Sequence, residues 1–549
     1  MFEITRKNAI IFMMKKCFLC GALLFSVLVS GCYIAEDSSK KNITIETNAS
    51  SDDMVWFMAA SMDSADIPAS SVPYFHISRA KSVGAENVRP EKNNDSADEF
   101  NDSRNFNTSS EYISKSNTAL LKSLSSRNLY NYSYKEKLFN PEKSTTNIKL
   151  NTASSSLREE TATKMYSGEN CNVFFVQNGN CPITKESLSS YKLNGRTVDL
   201  FEVFGKLFDE KIFPNITDIL GAYEYTTTYE NVISCPKKIN IVISDLFYDY
   251  SDTSKTKSGT YGYFWAGDMF KDYENQDSII HLDSFFILEN PESVYSTLAH
   301  EFNHMLNTIN KSFVHKKEFS TWYTEMLSAL ADAMFENYLS ENLKDDDSIV
   351  NSRIPFFNTW YNLGFSTWRS GTTDYFPSGD VLISYGNVFA FGNFIAKNYG
   401  GFKLIKEIAE NKYVDEESIV QAVRKCNPKR SGITFKDILK DFSCVHIKTF
   451  ANYTSNGSFP TLKKEVAYET NRSICLKSID NSTYLTDNNN YYKTSGLYSI
   501  SNNTPVVLGQ YGFLLYGYSV GGGSVTATID KNYNAFAYTV LDEQKVKLK

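Results

Sequence analysis

Five consecutive residues carry the most chemical information in this chain: His300-Glu301-Phe302-Asn303-His304. On an α-helix, residues four apart lie on one face, one turn from each other. Two imidazoles so placed can reach one ion at about 2.0–2.1 Å. Glu301 can then lie beside an open coordination position and take a proton from a water there. The bland alternative is a helix carrying two surface histidines and a glutamate. A catalytic zinc needs a third protein ligand and keeps one position open. Of the other histidines, His76, His281, His315 and His446, none has a spacing that argues for ligation. Glu325 is the better candidate. It lies in Thr321-Trp322-Tyr323-Thr324-Glu325-Met326-Leu327-Ser328-Ala329, an apolar stretch in which a buried carboxylate wants a cation. Two antiparallel helices joined by a turn of about ten residues would bring it opposite His300 and His304.

The elements that must position these residues are legible nearby. Asn290-Pro291-Glu292 is a helix start: Asn caps, Pro suits the first helical position, and Glu favours the positive end. That helix is predicted to run to about residue 309. A second starts at a Ser320 cap and runs to about 343. A third spans 385–399 and stops at Gly400-Gly401, a C-terminal signal. Shorter helices fit 403–410, 416–426 and 435–450. Upstream, 198–212 has the 3.6-residue period of an amphipathic helix, while 172–177, 239–243 and 278–282 read as strands.

The octapeptide Leu298-Ala299-His300-Glu301-Phe302-Asn303-His304-Met305 resembles the active-site helix of the hyicolysin-type neutral metallopeptidases, which are gluzincins. Trp322, three residues before Glu325, matches the second motif of that group. The resemblance covers about 170–450 and implies a zinc-dependent peptidase with a thermolysin-like catalytic domain, to which Asp283 belongs. Met326 departs from it, standing where relatives carry Gly. Ala329 departs too, replacing a carboxylate that supports a zinc ligand; Asp332 is the candidate to take that role. The run Ser384-Tyr385-Gly386-Asn387 is similar to aminopeptidase-type gluzincins, whose Tyr at a helix start stabilises the oxyanion. Tyr385 is the candidate here; the alternative is a packed Tyr capping a core helix. That branch also carries Gly-x-Met-x-Asn, which binds the substrate amino terminus. Gly267-Asp268-Met269-Phe270-Lys271 lacks the Asn, which favours an endopeptidase. In gluzincins the substrate adds a strand at the sheet edge before the active-site helix, and 278–282 is the strand expected there.

The rest of the chain bounds this reading. Its 549 residues imply two or three units. A net charge of −7 offers no basic footprint for nucleic acid. Lys15-Lys16, an apolar run and Val29-Ser30-Gly31-Cys32 resemble a bacterial lipoprotein signal. That resemblance implies cleavage after 31, lipid on Cys32, a membrane anchor and a place in the cell envelope outside the cytoplasm. The expected layout is a signal at 1–31, a polar, mostly disordered linker at 32–165, the metallopeptidase domain at 166–453 and a β-rich domain at 454–549. Within the linker, 54–60 with 72–77 reads as a strand that docks on the body, and 110–124 as a helix or part of a pro-segment. Six cysteines remain after the anchor; Cys171 and Cys181 are the nearest pair, and buried thiols are the alternative. The fold expected is α+β. The function expected is an endopeptidase with Zn2+ as cofactor and proteins or peptides as substrates. The rival is a non-catalytic surface lipoprotein that binds proteins on a peptidase-like scaffold.

Overall fold

The computed structural model describes residues 40–47, 53–60, 76–79, 108–127, 133–154, 156–256, 259–336, 349–368, 380–450, 461–480, 509–520, 523–530, 534–541 and 545–548. The expected signal at 1–31 and Cys32 lie outside the described residues. Among these residues no helix is long and apolar enough to cross a membrane.

Strands β1 (Lys40–Thr47), β2 (Asp53–Ala60) and β3 (His76–Arg79) and helix α1 (Thr108–Arg127) come first. The central sheet follows: β4 (Thr145–Asn151), β5 (Leu157–Ser167), β6 (Cys171–Val176), β7 (Ile239–Ser244), β8 (Gly262–Phe264) and β9 (Ile279–Asp283). Across the sheet the order is β8-β9-β7-β6-β5-β4. Strands β6, β7 and β9 run parallel, β8 is antiparallel to β9, and β5 and β4 extend the far side antiparallel. The three parallel strands are buried at every residue. Covered on both faces, they need apolar runs such as Ile241-Val242-Ile243 in β7.

Helix α2 (Leu200–Leu207) continues through a wider turn at Phe208–Ile212 into Phe213–Leu220. Its buried Phe201, Phe204, Phe208 and Ile212 recur near the helical period. Then come α3 (Pro291–Asn307) and α4 (Thr321–Phe335), followed by α5 (Ile349–Trp360), α6 (Asp380–Tyr399), α7 (Gly401–Glu410), α8 (Asp415–Cys426) and α9 (Phe435–Phe450). Sheet and helices share one core that includes Leu298, Phe302, Leu306, Trp322, Phe391 and Phe442. Truncating such a buried side chain to Ala costs ~2–5 kcal/mol. The last strands are β10 (Phe513–Val520), β11 (Gly523–Asp530), β12 (Asn534–Leu541) and β13 (Lys545–Leu548).

The α+β class is as expected, and several details differ. Helix α4 stops at Phe335, where Glu336 turns to extended geometry, rather than near 343. Ser320 does not cap it; its N–H and hydroxyl both engage the Asp415 carboxylate. Strand β9 is interior, paired on both sides, so the 278–282 segment is not the edge. Strand β8 is. The central sheet begins at Thr145, upstream of the expected boundary at 166, because β5 pairs with β6 over Ala162–Ser167 and with β4 over Leu157–Thr163. Strands β1, β2 and β3 lie within the expected linker, yet pair with the C-terminal strands in the orders β10-β2-β12-β13 and β1-β11-β3. Downstream of 453, Leu462, Ile474, Leu476 and Phe513 pack into the main core. All six described cysteines are free thiols, Cys171 and Cys181 included.

Candidate metal centre

Helix α3 starts as its sequence dictates. Asn290 Oδ1 accepts the Ser293 N–H at 3.2 Å and Pro291 opens the helix. Such a cap contributes about 1 kcal/mol. The helix packs against β8 and β9 and carries His300, Glu301 and His304 on one face. Helix α4 lies against it and brings Glu325 to the same point. His300 Nε2 and His304 Nε2 are 3.0 Å apart. Glu325 Oε2 lies 3.3 Å from the first and 3.5 Å from the second.

These three atoms would otherwise repel. Asp332 Oδ2 is 2.8 Å from His300 Nδ1; a carboxylate accepts there, so Nδ1 carries a proton and Nε2 is the nitrogen left facing His304 and Glu325. Thr324 Oγ1 is 2.8 Å from His304 Nδ1 and takes its proton in the tautomer a metal ligand requires. Glu325 Oε2 is buried without a hydrogen-bond donor. Two imidazole Nε2 atoms and an orphaned carboxylate oxygen converging in a buried place form a ligand set for a cation. Four ligands set tetrahedrally about an ion at ~2.0–2.1 Å stand about 3.3 Å from one another, and the observed separations fit that set.

Glu301 also offers an oxygen within 4.8 Å of both imidazoles. Its Oε2, however, accepts the Phe264 N–H at 2.8 Å, so Glu325 supplies the free ligand oxygen and Glu301 stands beside it. Burial raises the pKa of Glu301, opposed by the two histidines. Burial also opposes the Glu325 charge, but His304 and His300 overcome it and hold its pKa down at about 2. Burial likewise disfavours a charged His300, and the bonded Asp332 outweighs this and lifts its pKa well above the ordinary value.

Tyr385, near the start of α6, lines the same cavity as His300, Glu301, His304 and Glu325. Arg353 stacks on its ring at 4.9 Å and Trp368 meets it edge-on at 5.0 Å. Burial, then the Glu325 carboxylate, push its pKa well up, against Arg353. The phenol therefore keeps its proton as a hydrogen-bond donor. Asp268 and Met269, in the string compared with an amino-terminus motif, are fully buried, and Asp268 is bonded to His281.

The structure thus brings His300, Glu301, His304, Glu325, Asp332 and Tyr385 to one place. Cys32 lies outside the described residues. Sequence reasoning missed Thr324, and with it Asn307, which donates to Thr324 Oγ1 at 3.1 Å, and the Asn303–Ser328 bond that ties α3 to α4. The signal was present: Asn303 and Asn307 share a helix face with His300 and His304, four residues apart. Met326, which departs from the related pattern, has a partner in the packing. Gly392 on α6 faces it, and a Cβ there would stand 3.0 Å from Met326 Cγ. The larger side chain on α4 is accommodated by the absent one on α6.

A family model described as Peptidase M30 matches residues 155–486. The chain is 27% identical over 289 residues to the neutral metalloprotease ShpI of Staphylococcus hyicus, a match covering 50% of this chain and 56% of that protein. The chain therefore spans little more than half the length of that curated relative.

Proposed function

The chain belongs to the peptidase M30 family, and from that premise we propose that it is a zinc-dependent endopeptidase of thermolysin-like architecture, acting on proteins or peptides. The observation that carries this reading is Glu325 Oε2, buried without a donor and 3.3–3.5 Å from two imidazole nitrogens. His300, His304 and Glu325 would hold the ion. When bound, it supplies Lewis acidity to the scissile carbonyl and to a water.

The chain's own residues do the rest. Glu301, fixed by the Phe264 N–H, takes a proton from the attacking water and passes it to the leaving amine. Its buried setting brings its basicity nearer to what that transfer needs. Tyr385 donates its phenolic proton in a hydrogen bond to the developing oxyanion. Asp332 and Thr324 keep each imidazole in the ligating tautomer. An endopeptidase is favoured because Gly267-Asp268-Met269-Phe270-Lys271 has Lys in place of the Asn of the amino-terminus motif, and its Asp268 is buried against His281. The Val29-Ser30-Gly31-Cys32 run supports an anchor through lipidated Cys32 and a place in the bacterial cell envelope, outside the cytoplasm.

The test uses the full chain. Bound zinc is measured, and cleavage of a general protein substrate is followed with and without a chelator. We expect chelator-sensitive cleavage, and a loss of roughly 10²–10⁴-fold on Glu301→Gln with zinc retained. Activity that survives Glu301→Gln would sink the mechanism. Full zinc with no chelator-sensitive cleavage would favour the non-catalytic binding reading.

A further inference from the structure

A strand at the rim of a sheet leaves backbone donors and acceptors unpaired on its free side. Strand β8 is such a strand, and at its end two of these groups are already engaged. Asn117 Nδ2, on α1, donates to Phe264 O at 2.8 Å, and the Ala266 N–H donates to Asn117 Oδ1 at 2.7 Å. One carboxamide making both bonds reproduces the acceptor and donor that one residue of an extended chain offers a neighbouring strand.

The rest of the helix face supports that contact. Ile113, Asn117, Leu120, Leu121 and Leu124 recur with helical spacing, and the four aliphatic residues are buried. Ile113 packs among Leu246, Phe247, Tyr263 and Trp265. Asn117, Thr118 and Leu121 wall the same cavity as Glu301 and Tyr385. With α1 seated, that cavity measures about 100 Å³, against the ~300–1,000 Å³ of a site that takes a ligand. Phe264 links the two sides: its N–H holds Glu301 and its C=O holds Asn117.

We infer that α1 is a plug that occupies the substrate's own seat on β8 and must leave before an extended peptide can reach Glu301. The inference rests on the peptidase reading above. The seat that α1 vacates is apolar, so the peptide admitted there carries an aliphatic or aromatic side chain where Ile113 now sits. Asn117 supplies the register. A purely apolar face could slide along the cleft, whereas the two backbone bonds fix one position.

Two full-chain variants test this. Asn117→Asp keeps an acceptor for Ala266 but sets a carboxylate against Phe264 O. The triple change Ile113→Asp, Asn117→Ala, Leu121→Asp removes both bonds and two apolar contacts. Three readouts are taken: exchange of the Ala266 amide, kcat/KM on a fluorescent apolar decapeptide, and Kd for that peptide in the Glu301→Gln background. Circular dichroism and Tm verify folding of each variant. The plug requires faster Ala266 exchange, with kcat/KM raised and Kd lowered about tenfold, more in the triple variant than in Asn117→Asp. Faster exchange with unchanged Kd would overturn it, and so would undiminished protection of Ala266 in the triple variant. Tighter peptide binding with no cleavage in any active-site-intact chain would leave the plug standing and defeat the peptidase reading.

Discussion

The floor and the roof of the cleft are built in opposite ways. The floor is two neighbouring helices, α3 and α4, whose contact is locked by the Asn303–Ser328 bond and by the grip of Asp332 and Thr324 on the imidazoles. Thr324 Oγ1 is itself held, by the Asn307 amide. The roof is α1, remote in sequence, held by one carboxamide and a short aliphatic face. Removing Asp332 or Thr324 leaves an imidazole without its orienting partner, whereas removing the roof exposes a few aliphatic side chains. A rigid floor and a detachable roof suit catalysis that requires pre-organisation below and access above.

Breaking the floor should cost far more than loosening the roof gains. Tyr385→Phe removes the donor and leaves the packing against Arg353 and Trp368; kcat should fall roughly 10²–10³-fold with KM and metal content unchanged. Steady-state kinetics decide, and an unchanged kcat would make Tyr385 a packed tyrosine after all. Asp332→Asn should lower metal affinity by about 10–100-fold, measured by competition with a chromophoric chelator. A neutral amide there that cost nothing would mean His300 needs no orienting partner.

The smallest effect sharpens the contrast from behind the floor. Lys311, in the turn after α3, donates to the carbonyls of Ile408, Asn411 and Tyr413. Burial pushes its pKa down from 10.5 to about 7. The folded chain therefore binds fewer protons than the unfolded chain between those values, and this group's cost is full below pH 7 and shed as pH rises toward 10.5. The Tm of Lys311→Met relative to the parent should be most favourable below pH 7 and worsen by about a few degrees by pH 10. A difference that does not change with pH would contradict a strained lysine.

The same contrast explains what was legible in the sequence. His300, Glu301 and His304 are a local geometric statement about one helix, and Glu325 needs only the next helix to fold back. The strand at the edge was missed because β8 is three residues long, too short for a period, and its place at the rim is decided by pairing with β9. Strand β5 carries Arg158, Glu159 and Glu160 on a partly exposed ladder, which reads as linker when composition alone is weighed. Residues 110–124 read as a helix or part of a pro-segment, but nothing local says that Asn117 faces Phe264; that contact joins segments 147 positions apart.

The pairing of the chain's two ends sets a schedule for its birth. Trp56 is opposite Gly517 and Tyr538, and Ile43 is opposite Ala527. Strands β1, β2 and β3 have no partners until β10, β11 and β12 have been made. They must wait as unpaired edges, which are prone to wrong pairings, while the sheet and helices around the histidines need no such delay. Closing these two sheets thus waits for β10, β11 and β12 to arrive beside strands made long before. A nascent chain halted before residue 513 would hold its metal ligands together and leave its opening strands unclosed.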